Sequence, residues 1–412
     1  MQEMNRELWK TLKKELPEKE NLVLTGPRRV GKTTTVKWLF NQIESENKII
    51  FDIENLKDRK IFEKTDYNDV INDLEAIGLN RNSKMYVVID EAQFMPDIAN
   101  VVKYLYDHYD IKFILTGSSS YYLKNHFSES LSGRKYIYEL FPFSFNEYLE
   151  LLGVKYKLKE MDIYNLTGKF NDFAYASLDN YYRDYLQFGG FPSVILKETK
   201  ERKIQELNEI YSSYINIDAK SLADFKDLTN LRKIIQLLAV RIGNRLNINE
   251  LSAVSGLSRQ TVENYVEFLE KTYMIKTIPV ESKSPDVQNR KLKKVYFIDN
   301  GIANINAQLS SGQIFENAVL VSLINFERLS YYEDKSCEID FIVRTPFHQE
   351  AQNAVALEVK ETPTNADLTA LNKYAQKLGI ANTCIIGSQK SAKFSEYVWG
   401  GELLPELPWQ AC

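Results

Sequence analysis

A glycine-rich segment between residues 26 and 33 constrains this chain more than any other feature. It reads Gly-Pro-Arg-Arg-Val-Gly-Lys-Thr, which matches GxxxxGK[ST], and it stands between an apolar strand candidate and a helix candidate. Glycines let backbone N–H groups curl around a phosphate, and the following helix directs its positive end at the same group. Lys32 would reach the β- and γ-phosphates of a nucleotide, and the Thr33 hydroxyl would bind Mg²⁺. The predicted nucleotide contacts are Gly26, Pro27, Arg28, Arg29, Val30, Gly31, Lys32, Thr33 and Thr34.

Two acidic residues follow an apolar strand candidate further along the chain. The run Val87-Val88-Ile89 leads directly into Asp90 and Glu91. A carboxylate at the tip of such a strand can hold Mg²⁺ through water, and a second one can polarise the attacking water. We therefore predict a metal-holding role for Asp90 and a catalytic role for Glu91. Paired acids after a strand are also common surface features, so this prediction depends on the glycine-rich segment upstream.

Short apolar runs alternate with helical patterns over the first 150 residues, which is typical of a parallel α/β sheet. The strand candidates are Asn21–Thr25, Lys48–Ile53, Met85–Asp90, Lys112–Thr116 and Lys135–Leu140. The order of the motifs predicts that one strand separates the acidic strand from the strand before the glycine-rich segment. The fold class expected from this pattern is α/β, with a RecA-like P-loop NTPase core.

Two further residues are candidates for the chemistry of this site. Ser118 lies in the hydroxyl-rich run Thr116-Gly117-Ser118-Ser119-Ser120 and could sense the γ-phosphate or orient water. A plain turn with a helix cap explains the same run equally well. Arg134 is a candidate for stabilising transition-state charge, either in its own subunit or in a neighbouring one. A surface arginine is the alternative.

The composition is that of a globular protein with several domains. At about 150 residues per domain, 412 residues indicate two to four domains, and 44% hydrophobic with 26% charged residues is ordinary. The sequence shows neither a run of 18 apolar residues nor a signal-peptide pattern, so we expect no membrane association. Cys337, Cys384 and Cys412 are widely spaced and odd in number. They fit a reducing cytoplasmic location and exclude a disulfide framework.

The middle of the chain is basic, although the chain as a whole is acidic. Residues 230–294 contain 12 lysines and arginines against 6 acidic residues, whereas the remainder contains 40 against 50. Residues 249–273 read as a helix-turn-helix, and the basic run that follows would contact phosphates as a wing. The residues predicted to be exposed on the second helix are Arg259, Gln260 and Asn264. We therefore predict that residues 249–294 contact DNA. Three glutamates on the same helix oppose this, and winged helices also bind proteins.

Acidic residues recur on two strand candidates near the C-terminus. Asp340 and the run Glu358-Val359-Lys360 could share a second Mg²⁺ if the two strands pair, because carboxylates are the hard ligands that this ion prefers. Glu316, on the preceding helix candidate, is a further acid for the same site. Lys360 could lower the pKa of an attacking water. The alternative is a pair of strands whose alternating charged side chains face solvent and bind no metal.

The chain resembles the AAA-type ATPases of archaea and bacteria that carry a C-terminal domain of unknown function. The motifs that carry the resemblance are Gly26–Thr34, Val87–Gln93, Leu115–Ser119, Ser132–Arg134, Leu140–Leu149, Gly189–Pro192 and Phe297–Gly301. The resemblance implies ATP binding on a RecA-like core, a helical lid, a winged helix-turn-helix and a C-terminal α/β domain similar to PD-(D/E)xK nucleases. It also implies that Gly190 and Pro192 belong to a lid motif that closes over adenine.

These observations give one leading prediction and one alternative. The predicted domains are an ATPase core (1–150), a helical lid (151–228), a winged helix (229–294) and a nuclease-like domain (295–412). We expect ATP hydrolysis with Mg²⁺, coupled to DNA through residues 249–294 and the C-terminal domain. The alternative is a signalling or interaction switch whose nuclease-like domain is inactive and binds a protein partner or a second copy of the chain.

Overall fold

The computed structural model describes residues 5–117, 131–219, 228–282, 292–334, 337–345 and 354–406. Its N-terminal part contains the strands β1 (Asn21–Thr25), β2 (Lys48–Asp52), β3 (Met85–Asp90), β4 (Ile111–Gly117) and β5 (Lys135–Glu139). They form a parallel sheet in the order β2-β3-β4-β1-β5. Each strand lies within one residue of its predicted bounds. Since β4 stands between β1 and β3, the predicted separation of the acidic strand from the glycine-rich segment is confirmed.

Helices cover both faces of this sheet, because strands buried on two sides need apolar cover on each. Two apolar clusters, one on each face, enclose β1, β3 and β4. The helices are α1 (Glu7–Lys14), α2 (Lys32–Gln42), α3 (Leu56–Phe62), α4 (Asn68–Ala76) and α5 (Ile98–His108). The sequence did not predict α1. All five strands run the same way, so their carboxyl ends meet at one edge of the sheet.

The regular elements of residues 145–219 are helices, as the sequence predicted for the stretch from about residue 149 to residue 228. The elements are α6 (Phe145–Leu151), α7 (Asp172–Phe188), α8 (Pro192–Ile195), α9 (Lys200–Ser213) and a π-helical turn (Tyr214–Ala219). The break after α7 lies at the predicted place. Gly189 takes a left-handed φ of 75°, and the next helix begins with Pro192, whose fixed φ suits a first helical turn.

Helices and a two-stranded ribbon follow. They are α10 (Leu228–Ala239), α11 (Ile248–Ser255), α12 (Arg259–Lys271), β6 (Ile275–Ile278) and β7 (Lys294–Phe297). Gly256 turns the chain between α11 and α12 at a φ of 75°, and the Ser258 side chain caps α12. β6 and β7 pair antiparallel, with Ile275 opposite Phe297 and Ile278 opposite Lys294. The two helices and the turn predicted for residues 249–273 are therefore present.

The described C-terminal residues form a second sheet. Its strands are β8 (Leu329–Asp334), β9 (Cys337–Arg344), β10 (Ala354–Lys360), β11 (Asn382–Gly387) and β12 (Val398–Trp399), in the order β12-β11-β10-β9-β8. The accompanying helices are α13 (Asn300–Asn306), α14 (Ser311–Leu323) and α15 (Asn365–Lys377). α14 packs on one face of the sheet and α15 on the other. The two acidic strands, β9 and β10, pair antiparallel, which is the condition that the predicted second Mg²⁺ site required, whereas β8 was not predicted.

A buried arginine ties the N-terminal helix to the glycine-rich loop. The Arg6 side chain is 4% exposed, and its guanidinium donates to the carbonyl oxygens of Val30 at 2.9 Å and Phe141 at 2.7 Å. Its Nε also pairs with a carboxylate oxygen of Glu147 at 2.9 Å. α1 and α6 therefore hold one side of the loop in place. None of the described helices is long and apolar enough to cross a membrane.

Candidate functional site

The glycine-rich segment forms a loop that requires glycine at two positions. Gly26 has a φ of 143°, and a Cβ on it would lie 2.0 Å from the carbonyl oxygen of Leu140. Gly31 has a φ of 97° and precedes α2, whose first turn has no side-chain cap. The first N–H groups of a helix lack backbone acceptors, so an uncapped N-terminus attracts an anion. The loop and α2 are therefore shaped as the sequence predicted for a phosphate site.

Lys32 points back into this loop. Its Nζ donates to the carbonyl oxygens of Gly26 at 2.9 Å and Pro27 at 2.8 Å, and the residue is 6% exposed. The ammonium group is thus held next to the loop backbone. In the first turn of α2, the neighbouring Thr33 is half-buried and Thr34 is exposed. This geometry places the predicted lysine and threonine hydroxyls at one end of the sheet.

The acidic strand ends at the same edge as the loop. Asp90 is 6% exposed, and the Thr116 hydroxyl at the end of β4 donates to its carboxylate. In the strand register, Ile89 pairs with Leu115 and Leu24 pairs with Thr116. Asp90 therefore lies two strands from β1, a separation of about 10 Å at the usual spacing between strands.

Glu91 takes an unusual backbone conformation directly after this strand. Its φ is 54°, in the left-handed region, and its N–H donates to the Thr116 hydroxyl at 3.2 Å and the Asp90 carboxylate at 3.1 Å. The Gln93 amide donates to the Glu91 carboxylate. A non-glycine residue in this region persists when its surroundings fix it, and such positions concentrate at functional sites. The sequence analysis named Thr116 in a hydroxyl-rich run and Gln93 at the end of the motif Val87–Gln93, but it assigned neither residue a role.

A small apolar cleft opens beside the loop. Pro27 and Arg28 form one wall, Phe191 and tyrosines of α9 and the π-helical turn form another, and residues on either side of the ribbon close it. The lining residues are Pro27, Arg28, Phe191, Ile210, Tyr211, Tyr214, Tyr273, Met274, Ile298 and Ile302. Among the predicted lid residues, Gly190 and Pro192 flank Phe191 and do not line the cleft themselves.

The turn that carries Phe191 is fixed by a buried carboxylate. Asp299 accepts from the N–H of Gly190 at 2.7 Å and from the N–H of Ile302 at 3.0 Å. The N–H of Phe143 donates to the Gly190 carbonyl at 2.7 Å, and a Cβ on Gly190 would meet that residue. Burial raises the pKa of Asp299 to about 6, although the N–H donors lower it. The sequence placed Asp299 in a family motif but assigned it no role.

One predicted catalytic residue, Arg134, lies away from this site. Arg134 precedes β5, and its carbonyl accepts from the N–H of Asn21, at the sheet edge opposite the loop. Its guanidinium is bound by Asp107 of α5, with contacts of 2.7 and 3.0 Å. Arg134 therefore cannot reach a phosphate in its own loop, because the full length of the sheet separates them. Ser118 lies outside the described residues.

A second group of ionisable side chains lies between the ribbon and the second sheet. We call it the carboxylate cluster, and it consists of Glu316, Glu338, Asp340 and Glu358 with the lysines Lys294 and Lys360. The Lys294 Nζ lies 2.5 Å from Glu338, 3.6 Å from Glu316 and 3.6 Å from Asp340. The Lys360 Nζ lies 2.6 Å from one oxygen of Glu358.

The charges of this cluster are strongly coupled. Burial, followed by the charge of Asp340, raises the pKa of Glu358 to about 7, and the same causes raise the pKa of Glu316. Burial alone would lower the pKa of Lys294, but Glu316, Asp340 and Glu338 raise it above its usual value. One oxygen of Glu358 is buried without a hydrogen-bond partner. The cluster therefore holds more negative charge than its lysines neutralise.

The predicted second Mg²⁺ site is not assembled in this structure. Within the described part of the chain, no group of three or more Asp, Glu, His or Cys side chains is arranged to hold a metal ion. Asp340 uses one oxygen to accept from the N–H of Val359 at 2.9 Å, and its other oxygen faces Lys294. The sequence missed Lys294 as a cluster member because it stands on the ribbon, far from the acidic strands along the chain.

The basic segment of residues 230–294 has fewer unpaired positive charges than its composition indicates. Among its described lysines and arginines, several pair with carboxylates; these are Arg241, Arg245, Arg259, Lys271 and Lys294. On α12, Arg259 pairs with Glu263, and Gln260 bonds to Asn264 at 3.0 Å. The polar side chains that were predicted to contact DNA therefore already bond to neighbours on their own helix. Lys283 and residues 290–291 lie outside the described residues.

Comparisons with known proteins identify the first sheet. Residues 18–149 match the model of an AAA domain, and residues 179–313 match a domain of unknown function, DUF8612. An uncharacterized protein of Methanocaldococcus jannaschii is 26% identical over 372 residues, which cover 87% of this chain and 80% of that protein. An uncharacterized protein of Haemophilus influenzae is 27% identical over 344 residues, covering 78% and 79%.

Two archaeal proteins are among the solved structures that superpose on part of this chain. A Walker-type ATPase of Pyrococcus abyssi superposes with a TM-score of 0.47 at 17% identity, covering 74% of this chain and 96% of that chain. The ORC2 protein of Aeropyrum pernix superposes with a TM-score of 0.39 at 12% identity, covering 76% and 91%.

Proposed function

Since residues 18–149 form an AAA domain with a P-loop ATPase core, we propose that the loop from Gly26 to Thr34 binds the phosphates of ATP. The observation that carries this proposal is the placement of Lys32. Its ammonium group is held against the carbonyls of Gly26 and Pro27, at the uncapped start of α2. A nucleotide phosphate offers a better acceptor than these carbonyls, because its negative charge adds ionic attraction to the hydrogen bond from the ammonium group.

Residues at this edge of the sheet have separate roles in the proposed hydrolysis. Thr33 and Asp90 would hold Mg²⁺, which neutralises charge on the phosphate oxygens when it is bound. Glu91 orients a water and takes its proton while the water oxygen bonds to the γ-phosphorus and the bond to the leaving ADP oxygen breaks. Ser118 remains a candidate for sensing the γ-phosphate. Arg134 remains a candidate only for a neighbouring subunit's nucleotide.

We place the adenine base at the apolar cleft beside the loop. It lies next to Pro27 and Arg28, and Phe191 with Tyr211 and Tyr214 offers flat aromatic surfaces. Aromatic faces are a common means of binding a planar ring. Gly190 and Pro192 shape the turn that carries Phe191, so they act as lid residues through it.

Replacing Lys32 tests the proposed site directly. We expect Lys32→Ala to weaken ATP binding about thirtyfold, because losing one partner of a buried charged contact removes about 2 kcal/mol or more. Calorimetric titration of the full chain with ATP and Mg²⁺ measures this. Lys37→Ala is the matched control, since Lys37 is exposed on the same helix. Binding that is unchanged in Lys32→Ala, or absent in the wild-type chain, would contradict the proposal.

We also propose the predicted division of the remaining chain into a lid (151–228), a winged helix (229–294) and a nuclease-like domain (295–412). The helices of residues 145–219, the helix-turn-helix with its ribbon, and the second sheet between α14 and α15 support these three units. DNA engagement through residues 249–294 is the partner proposal that follows. The ion pairs along α12 weaken it, so the C-terminal domain carries the stronger case.

The carboxylate cluster is a second candidate active site, for Mg²⁺-dependent cleavage of a phosphodiester. Asp340 and Glu358 lie on paired strands, and the unpartnered buried oxygen of Glu358 is the observation that favours a cation there. Asp340 and Glu358 would hold Mg²⁺, whose charge stabilises a phosphate under attack by water. Glu316 would have to move to join them, because no three carboxylates of the described residues are arranged for a metal ion. Lys360 would steady the attacked phosphate. Lys294 opposes this candidate, because it already neutralises part of the cluster.

Plasmid cleavage decides between this candidate and the inactive-domain alternative. We expect the wild-type chain with Mg²⁺ to nick supercoiled DNA and Asp340→Ala to lose at least 90%, roughly tenfold, of that activity, as expected when a metal ligand is removed. Glu396→Ala, at an exposed position on the same domain, is the matched control. Equal nicking by wild type and Asp340→Ala would indicate contamination. No nicking by any form would favour a switch that binds a protein partner or a second copy of the chain.

A further inference from the structure

Tyr273 stands where the C-terminal half of the chain meets the nucleotide loop. It follows α12 and precedes β6, and its φ of 60° lies in the left-handed region that disfavours side chains. A glycine would adopt this backbone without strain. The tyrosine side chain is nevertheless 6% exposed and packs edge-to-face on Phe141, with ring centroids 5.7 Å apart. The strained backbone therefore serves to direct this side chain inward.

The hydroxyl of Tyr273 reaches the base of the loop. It donates to a carboxylate oxygen of Glu139 at 2.8 Å and lies 3.5 Å from the hydroxyl of Thr25. Thr25 and Glu139 are the last residues of β1 and β5, and they pair with each other in the strand register. Thr25 directly precedes Gly26, so the hydroxyl contacts the two strand ends from which the loop departs.

These contacts leave the loop little freedom to shift independently of Tyr273. The N–H of Leu140 donates to the carbonyl of Thr25 at 2.8 Å, and Leu140 is the residue against which Gly26 packs without a Cβ. Movement of the Glu139–Leu140 strand end would therefore displace Gly26 and the carbonyl to which Lys32 donates. The ring of Tyr273 also lines the apolar cleft beside the loop.

We propose that Tyr273 is a positioning residue for nucleotide binding, supplied by the helix-and-ribbon unit to the loop of the ATPase core. This inference rests on the proposed function, because it requires the loop from Gly26 to bind the phosphates. The hydroxyl holds Glu139 and Thr25 so that the loop keeps the shape that accepts phosphate. The ring closes the cleft that would hold the base.

Removing only the hydroxyl tests this role. We expect Tyr273→Phe to weaken ATP binding and raise KM about tenfold, the size expected when a buried hydrogen bond to a carboxylate is lost, while kcat changes less than twofold. A merely structural tyrosine would instead leave the ATP affinity of the folded protein unchanged. Tyr397→Phe is the matched control, because it removes a buried hydroxyl that donates to the Gln389 carbonyl at 2.9 Å, within the second sheet.

Variants of Glu139 make the test specific for the contact. Glu139→Gln keeps a carbonyl acceptor and should bind ATP nearly as the wild type does, whereas Glu139→Leu should reproduce the weakening in Tyr273→Phe. The double variant Tyr273→Phe/Glu139→Leu should bind no more weakly than either single variant, because both remove the same interaction. Additive losses, or unchanged affinity in Tyr273→Phe, would overturn the inference.

The proposed nucleotide site and the proposed role of Tyr273 can be rejected separately. If the wild-type chain binds no ATP, or if Lys32→Ala binds it unchanged, the loop is not the nucleotide site and the proposed function itself is wrong. If Lys32→Ala weakens binding while Tyr273→Phe does not, the site stands and only the role of Tyr273 is overturned. Circular dichroism of each variant confirms that the chain remains folded.

Discussion

Glu91→Gln should lower the kcat for ATP hydrolysis by about 10²–10⁴-fold while leaving ATP affinity near its wild-type value, because general-base catalysis contributes an effect of this size. The glutamine keeps the length of the side chain and can still contact Gln93. It cannot take a proton from water. The backbone contacts that fix residue 91, from its N–H to Thr116 and Asp90, do not involve the side chain and should survive the change.

Phosphate release at saturating ATP and Mg²⁺ measures this effect, and calorimetry measures the affinity separately. Asp52→Asn is the matched control, because Asp52 ends the neighbouring strand β2 at the same edge of the sheet and pairs in register with Asp90. Its exposed carboxylate lies farther from β1, so we expect turnover within twofold of wild type. If both variants lost activity equally, the effect would belong to the charge of the sheet edge and not to Glu91.

The elements that build the proposed nucleotide site are local in the sequence, which is why the sequence predicted them. The strand bounds follow from continuous apolar runs, and the loop follows from two glycines whose backbone φ values of 143° and 97° exclude other residues. The acidic pair, Asp90 and Glu91, was predictable because it stands at the end of a buried apolar strand. In each case the residues that determine the structure are neighbours along the chain.

The residues that the sequence did not assign act across long separations. The Tyr273 hydroxyl meets Thr25 from 248 residues away, and Asp299 binds the N–H of Gly190 from 109 residues away. No periodicity or local motif encodes such a contact, since it depends on how separate units pack. Arg134 shows the converse, because a residue in a suggestive motif lies at the wrong edge of the sheet and is paired with Asp107.

Lys294→Met should lower the free energy of unfolding by about 3 kcal/mol at pH 8, in the range measured when one partner of a buried ion pair is removed. Lys294 is 3% exposed and faces Glu338, Glu316 and Asp340, so its loss leaves carboxylates without their counter-charge. Lys293→Met is the matched control, because Lys293 is the exposed preceding residue. Urea denaturation of both variants measures the difference.

The loss in Lys294→Met should shrink as the pH falls from 8 to 5. Burial and the charge of Asp340 raise the pKa of Glu358 to about 7, and they raise the pKa of Glu316 in the same direction. Both pKa values exceed those of an unfolded chain, so the folded state takes up protons first and gains stability as the pH falls through this window. Protonation removes the uncompensated charge that the substitution leaves. A deficit that is equal at both pH values would instead indicate lost packing of the lysine stem.

The same variant shows whether the cluster can accept a metal ion. If Asp340 and Glu358 hold Mg²⁺, the ion should restore stability to Lys294→Met, because a ligand that binds only the folded state stabilises it. The wild-type chain should gain less, since Lys294 already supplies positive charge at the same carboxylates. Restoration by Mg²⁺ that disappears in Lys294→Met/Asp340→Ala would identify Lys294 and the metal as competitors for one site. Equal stability with and without Mg²⁺ would leave Lys294 as the resident cation of the cluster and favour the inactive-domain alternative.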